Sequence, residues 1–195
     1  MAVVNAPPAL SDECLLARLA AGEHDALEEL FARYRVLAYR VAYRLLGNDA
    51  DALDAVQEGF IKALSHLESF QGRSSFKTWL LRVVSNAALD VGRQRSRREM
   101  LSLNVSHNGD GEGPGPLTLD NPTSGLERAE LRRLLNEALA TLPEAQRKTF
   151  VLHADAGLSY REVAEALEIS IGTVMSRLYF ARQKLRVYLA ERIKS

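Results

Sequence analysis

Apolar residues recur every three or four positions through most of this chain, and no stretch alternates apolar with polar residues as a half-buried strand would. Leu27, Leu30, Phe31, Tyr34, Leu37, Val41 and Leu45 form one such stripe, which Gly47 and Asn48 end. A second helix carries Leu53, Val56, Phe60, Leu64 and Leu67 on an apolar face. Its opposite face shows Asp51, Asp54, Gln57, Glu58 and Lys62. The segment FQGRSSF, residues 70–76, reads as a turn-rich break. From about Thr78 a further helix turns Trp79, Val83, Val84, Ala87 and Val91 inward. The fold class expected is all-α.

The pattern lapses between Glu99 and Ser124, where NGDGEGPGPLTLDNPTSG offers glycine, proline and polar residues and little to bury. It divides the chain into a helical domain over residues 10–98, a flexible linker over 99–123 and a second helical domain over 124–195. Ser124 with Glu127 has the spacing of a capping box and opens a helix with Leu126, Leu131, Leu134, Leu135 and Leu139. In LPEAQRKTFVLHADAG, Pro143 takes an early helical position and Gly157 terminates. Ser159 and Glu162 form another capping box, opening a short helix that reaches Leu167.

Charge adds a second layer. The 25 basic and 25 acidic side chains cancel, but they are sorted into blocks. Acids prevail from Asp12 to Glu68. From Arg73 to Arg98 only Asp90 opposes Arg73, Lys77, Arg82, Arg93, Arg95, Arg97 and Arg98. After Met175, Glu191 alone faces Arg177, Arg182, Lys184, Arg186, Arg192 and Lys194. Two basic surfaces suit a polyanion, since each neutralised phosphate releases condensed counterions. The acidic surface suits a basic protein partner.

Other classes are disfavoured. No run of about 18 apolar residues is present, so stable membrane insertion is not expected. No charged segment leads into an apolar block at the N-terminus, and the single cysteine, Cys14, fits a reducing cytoplasm. Cys14 reads as a plain buried residue of a short helix. His24, His66, His107 and His153 are scattered without metal-ligand spacing, and His153 with Asp155 reads as a helix-end surface. No phosphate-cradling glycine loop or nucleophile motif occurs, so neither an enzyme nor a bound metal or cofactor is expected.

Residues 160–179 have the layout of a helix-turn-helix. Ala164 is small where two helices would cross, Glu168–Ser170 is the turn, and Val174 locks the second helix on the first. Glycine often stands where this chain has Glu168. Ser170 can cap the second helix, whose amino end then offers free donors to a phosphate. Ile171, Val174, Leu178, Ala181 and Leu185 form its inner stripe. Thr173, Ser176, Arg177, Tyr179, Phe180, Arg182 and Gln183 are left for a major groove, where arginine pairs bidentately with guanine. Upstream, SSFKTWLLRVVSNAALDVGRQRSRR joins aromatics and amides to dense positive charge, a combination suited to unstacked bases of single-stranded DNA. Trp79 also reads as a core residue.

With these segments in order, the chain resembles a bacterial sigma factor of the extracytoplasmic-function group, the minimal members of the sigma-70 family. DALDAVQEGFIKAL resembles the helix that binds the clamp helices of the polymerase beta-prime subunit. FQGRSSFKTWLLRVVSNAALD resembles the segment that opens and reads the minus-ten element. GLSYREVAEALEISIGTVMSRLYFARQKLR resembles the domain that reads the minus-thirty-five element.

The resemblance implies an alternative sigma factor that brings core RNA polymerase (beta-prime and beta subunits) to promoter DNA, held in check by an anti-sigma factor. It places Asp51, Asp54, Gln57 and Glu58 on the core-binding surface. The implied minus-ten set is Lys77, Trp79, Arg82, Asn86, Ala87, Ala88, Leu89, Asp90 and Arg93. Within it Asn86 holds a flipped base, and residues 87–90 form a variable specificity loop. The implied minus-thirty-five set is Ser170, Gly172, Thr173, Met175, Ser176, Arg177, Tyr179, Phe180 and Arg182. Met175 and Phe180 stand where basic residues are usual, which shifts readout toward apolar contact and groove shape. The rival reading is a helix-turn-helix regulator that binds duplex DNA without core polymerase. It leaves the acidic face at 51–58 and the segment from Trp79 to Arg98 unexplained.

Overall fold

A computed structural model of the chain describes residues 10–67, 70–102 and 122–193, and among these it contains α-helices and no strand. The eight helices are α1 (Asp12–Ala20), α2 (Asp25–Leu46), α3 (Asp49–Ser65), α4 (Phe76–Ser102), α5 (Pro122–Ala140), α6 (Glu144–Ala154), α7 (Tyr160–Leu167) and α8 (Ile171–Ile193). They fall into two compact units, Met1–Val36 and Leu37–Ser195.

In the first unit, Ser11 caps α1 by accepting from the Cys14 amide, and Leu15, Ala26 and Leu30 are fully buried. Asp12 ties the unit together: one carboxylate oxygen meets Arg33 at 2.7 Å and the other accepts from the Tyr34 hydroxyl. Burial and that carboxylate push the Tyr34 phenol pKa upward. Cys14 is exposed, contrary to the buried position expected of it, because the inward side of this short helix belongs to Leu15.

In the second unit, α2 ends as expected at Gly47, whose φ of +80° only glycine adopts freely. Asn48 then caps α3 by accepting from the Asp51 amide. The face α3 buries is not the one its large apolar residues mark. Ala52, Ala55, Gly59 and Ala63 are buried, while Leu53 is 60%, Ile61 55% and Leu64 42% exposed. Val56, Phe60 and Leu67 are half-buried. Close approach to α4 is the reason: a Cβ built on Gly59 would lie 3.0 Å from both Cα and Cγ2 of Val84. Small residues let the two backbones come together, and the bulky ones are turned outward.

Helix α4 opens two residues before Thr78, with Ser75 accepting from the Thr78 amide at 3.1 Å. It runs unbroken through residues 86–90, so the expected specificity loop is helix. Phe76, Leu80, Leu81, Val84, Ala87 and Ala88 are buried and Leu89 is nearly so, each large side chain contributing about 1.5–3 kcal/mol. Trp79, Val83 and Val91 are half-buried rather than core. Helix α4 extends to Ser102 and α5 begins at Pro122, so the ends of the expected linker are helical. Its residues 103–121 lie outside the described ones. Ser124 falls inside the first turn of α5, not ahead of it, because Pro122 already supplies a helix-ready φ. In α5, Ala138 and Leu139 face the core, whereas Leu131 is 65% exposed.

Helices α6, α7 and α8 pack on one another, α5 packs on α8, and α7 also packs on α4. Pro143 precedes α6, and Gly157 with φ +68° follows it. The capping box at α7 forms in full: Ser159 Oγ accepts from the Glu162 amide and Glu162 Oε2 from the Ser159 amide. Val174, Leu178, Ala181 and Leu185 are the buried stripe of α8. Ile171 is 48% exposed instead of joining them, because it is the first residue of the helix and has no turn beneath it. No helix among the described residues is long and apolar enough to cross a membrane.

Candidate nucleic-acid interface

The helix-turn-helix is built by α7 and α8. Helix α7 closes with the Ile169 amide donating to the Ala164 carbonyl, a bond that requires a left-handed residue at the turn. Glu168 takes that conformation, φ 54° and ψ 44°, at a cost of about 1 kcal/mol relative to glycine. Ala164 is buried at the crossing, as its size demands. Ser170 then caps α8, accepting from the Thr173 amide at 3.1 Å and lying 2.9 Å from the Thr173 hydroxyl. The first turn of α8 therefore presents free backbone donors beside exposed Gly172.

Beyond that turn, Met175, Ser176, Tyr179, Phe180 and Arg182 are exposed, and Arg177 is half-exposed with no ion pair or hydrogen bond among the described residues. Tyr179 and Phe180 form an edge-to-face pair with centroids 5.4 Å apart, and Gln183 donates to the Tyr179 hydroxyl at 2.7 Å. The surface expected to meet the minus-thirty-five element is thus contiguous on one helix, with apolar area at Met175 and Phe180.

A second candidate lies on α4 and the turn before it. Phe70, Phe76 and Trp79 pack as an aromatic cluster with centroids 5.2–5.9 Å apart. One side of it opens into a cleft of about 430 Å³, lined also by His66, Arg73, Arg82, Val83 and Asn86. An aromatic wall, an amide and two guanidiniums around a concave space can stack a base and hydrogen-bond its edge. Phe70 and Arg73 were not in the expected minus-ten set, although Arg73 belongs to the basic block and both lie in the segment that resembles the minus-ten reader, because their glycine- and serine-rich surroundings read as a turn. The pair of phenylalanines bracketing that turn was the available signal.

The other residues of the expected minus-ten set separate. Ala87, Ala88 and Leu89 are in the core and present nothing to a base, since the helix turns Asn86 outward and these three inward. Asp90 lies away from the cleft, beside a crevice lined by Glu58, Lys62, Arg93, Gln94 and Arg97. It faces Lys62 at 3.7 Å and Arg93 at 3.5 Å.

Several cations of α4 are engaged by the C-terminal helices. Arg82 meets Glu168 at 2.7 Å and Arg93 meets Glu144 at 2.6 Å. Lys77 lies near Glu162, whose carboxyl is held low chiefly by its capping hydrogen bond. The Asn86 side-chain oxygen accepts from Lys148. Burial, with Arg82 and Arg93 nearby, pushes the Lys148 amine down to about 8. It is thus still largely protonated at neutral pH. Arg95 pairs with Asp51 at 2.6 Å, so part of the basic tail is neutralised by an acid of α3.

On the expected core-binding surface the four residues also divide. Asp51 is held by Arg95 and Asn48, and Glu58 by Lys62 at 2.6 Å. Asp54 and Gln57 are exposed and without a partner among the described residues. Beside them stand Leu53, Ile61 and Leu64, an exposed apolar row of which Leu53 and Leu64 had been expected on the buried face.

His153 does not pair with Asp155. Its Nδ1 lies 2.8 Å from the Leu158 carbonyl, and Asp155 meets Arg44 at 3.3 Å. Among the described residues no group of three or more His, Cys, Asp or Glu is placed to hold a metal ion.

Comparison with known proteins agrees with this geometry. A family model for sigma-70 region 2 matches residues 30–98, and one for sigma-70 region 4 matches residues 132–185. The chain is 33% identical to the ECF RNA polymerase sigma-E factor of Haemophilus influenzae, covering 90% of this chain and 94% of that one. To the sigma-E factor of Escherichia coli it is 34% identical, with 90% and 93% covered. To the ECF RNA polymerase sigma factor SigE of Mycolicibacterium smegmatis it is 37% identical, over 84% of this chain but 62% of that longer one. Among solved structures it is similar to CnrH in complex with the cytosolic domain of CnrY, with a TM-score of 0.69 at 27% identity, over 92% and 97% of the two chains. It is also similar to the sigma factor RpoE bound to the anti-sigma factor NepR from Bartonella quintana, with a TM-score of 0.64 at 27% identity, over 86% and 98%. With both sigma-70 regions in order and relatives above 30% identity along nearly their whole length, the chain belongs to the extracytoplasmic-function group of the sigma-70 family, and it is an alternative sigma factor that directs RNA polymerase to promoters.

Proposed function

We propose that this sigma factor divides its work among three surfaces. The outward face of α3, with Asp54 and Gln57 beside Leu53, Ile61 and Leu64, docks on the beta-prime subunit of core polymerase. The cleft on α4 stacks a base exposed by melting on Trp79 and Phe70 and holds its edge through Asn86. The exposed side of α8 reads the minus-thirty-five element, with Arg177 and Arg182 as its polar readers and Met175 and Phe180 as apolar contacts.

The domain organisation proposed is the one expected from sequence: residues 10–98 for core and minus-ten binding, 124–195 for upstream binding, and a tether between. The chain itself does no chemistry; polymerase supplies it in the cytoplasm. An anti-sigma factor covering these surfaces keeps the factor inactive, as the complexes formed by its structural relative RpoE suggest.

The observation that carries this reading is the cleft, because an open aromatic wall beside an amide and two arginines is unexplained by duplex binding alone. A regulator that used only α8 would have no need of it. Run-off transcription with core polymerase on a promoter library tests the whole, and absence of any association with beta-prime would sink it.

Two substitutions test the parts. Arg177→Ala should weaken binding to the upstream element by about 1–3 kcal/mol while leaving polymerase association unchanged, measured by competition between intact and upstream-scrambled promoters. Asn86→Ala should slow promoter opening about tenfold, through the loss of one hydrogen bond to an extruded base. Permanganate footprinting at equal polymerase occupancy reads this, and an unchanged open-complex yield would remove Asn86 from the mechanism.

A further inference from the structure

Gln183 stands outside the minus-thirty-five set that the resemblance implies, yet its surroundings on α8 single it out. It lies four residues after Tyr179 and three after Phe180, so the three side chains are neighbours on the helix surface. All three are exposed, and the two aromatics are each 57% exposed.

An exposed side-chain amide ordinarily rotates and offers donor or acceptor to whatever it meets. This one is fixed. Gln183 Nε2 donates to the Tyr179 hydroxyl at 2.7 Å, and the Tyr179 ring rests edge-to-face on Phe180 at 5.4 Å and 77°. One N–H is thereby used, which leaves the second N–H and the Oε1 acceptor side by side. A donor beside an acceptor complements N7 and the N6 amino group of adenine. Guanine presents two acceptors, N7 and O6, and would set its O6 against Oε1. The partner of adenine is thymine, whose 5-methyl group reaches into the same groove, and Phe180 supplies apolar surface that suits it.

We infer that Gln183 is a further specificity-determining residue of α8, selecting an A·T pair in the upstream element, with Tyr179 as its positioning residue and Phe180 on the thymine methyl. The inference rests on the assignment of α8 as the upstream reader, and adds the base pair preferred at this point of the groove.

The frame around these residues suits a duplex. Helical spacing sets Arg186 on one flank of Gln183 and Lys184 on the other. Both are exposed, and neither forms an ion pair among the described residues. Cations on both flanks of an uncharged ridge can reach the phosphates that border a major groove while the ridge meets the base edges. Fixing the amide beforehand has its own advantage. Less freedom is lost on binding, so more of the contact's strength remains to discriminate between bases.

The test uses holoenzyme and a promoter library randomised over the upstream element, with bound fragments recovered and sequenced. Unmodified holoenzyme should select an A·T pair at one position, and Gln183→Ala should relax that preference about tenfold while other positions keep theirs. Tyr179→Phe removes only the hydroxyl, and should relax the same position about threefold. On the selected promoter, 7-deazaadenine at that position should weaken unmodified holoenzyme about fivefold and leave Gln183→Ala unaffected. Deoxyuridine in place of the paired thymidine removes the methyl, and should cost about fourfold in unmodified holoenzyme but nothing in Phe180→Ala. A Gln183→Ala variant that keeps the full preference, or one that relaxes a G·C pair instead, overturns the inference. If Arg177→Ala shifts the selection while Gln183→Ala does not, α8 remains the upstream reader and Gln183 has no part in it. If neither variant changes the selection, the assignment of α8 falls and the inference falls with it.

Discussion

Gly59→Leu should destabilise the second unit by about 3 kcal/mol or more, the largest effect expected of any single change in α3. A Cβ at this position already lies 3.0 Å from the Val84 Cα, and a backbone atom in mid-helix cannot swing aside as a side chain would. The leucine can be accommodated only if α3 and α4 move apart, and then Ala52, Ala55 and Ala63 lose their contacts together. Against a total stability of about 5–15 kcal/mol for a domain, that is a large fraction. Gly59→Ala provides the graded control, since its milder overlap is offset by about 1 kcal/mol of better helix propensity. Thermal melts by circular dichroism should rank the three proteins unmodified, alanine, leucine. A leucine variant melting within about two degrees of the unmodified chain would show that the helices are not in close contact.

The second large effect is expected at Leu178. This side chain is fully buried, in the stripe with Val174, Ala181 and Leu185 by which α8 packs on α6 and α7. Truncation to alanine removes the transfer energy of its methyl groups and leaves a cavity, together about 2–5 kcal/mol. Upstream duplex binding should therefore collapse, because α8 is no longer fixed on the scaffold that aims it. Association with polymerase through α3 should persist. Tyr179→Ala, one residue away on the exposed side, separates folding from reading: it should leave the melt unchanged and weaken only DNA binding. If Leu178→Ala binds the upstream element normally, the stripe does not hold the reader.

The helical periods were legible because apolar spacing depends only on each helix having a wet side and a dry side. The same reasoning misplaced the inner face of α3. Hydrophobicity ranks Leu53 and Leu64 above Ala52 and Gly59, but the approach of two backbones selects for small size, and one sequence does not reveal which helices approach closely. The aromatic cleft was half legible. Trp79 and Asn86 stood out by residue type, whereas Phe70 and Arg73 are joined to them only by the fold. Ala87, Ala88 and Leu89 show the converse error, in which family resemblance supplied a loop where the chain forms continuous helix. The contacts from Glu144, Lys148 and Glu168 to α4 span more than 50 residues of sequence, and no local pattern announces them.

The unbroken course of α4 has a mechanical consequence. At 1.5 Å per residue its 27 residues measure about 40 Å, and the close contact of Val84 with Gly59 of α3 is one point where it is held. That fulcrum lies about 12 Å from the aromatic end of the helix and about 27 Å from the arginine-rich end. A rocking of about 10° would move the aromatic end by about 2 Å and the basic end by about 5 Å, as the rigid spacing of a helix requires. The helix is therefore a lever with unequal arms, and a coarse tug of phosphates on the long arm becomes a fine adjustment of Trp79 on the short one, while Asn86 beside the fulcrum barely moves.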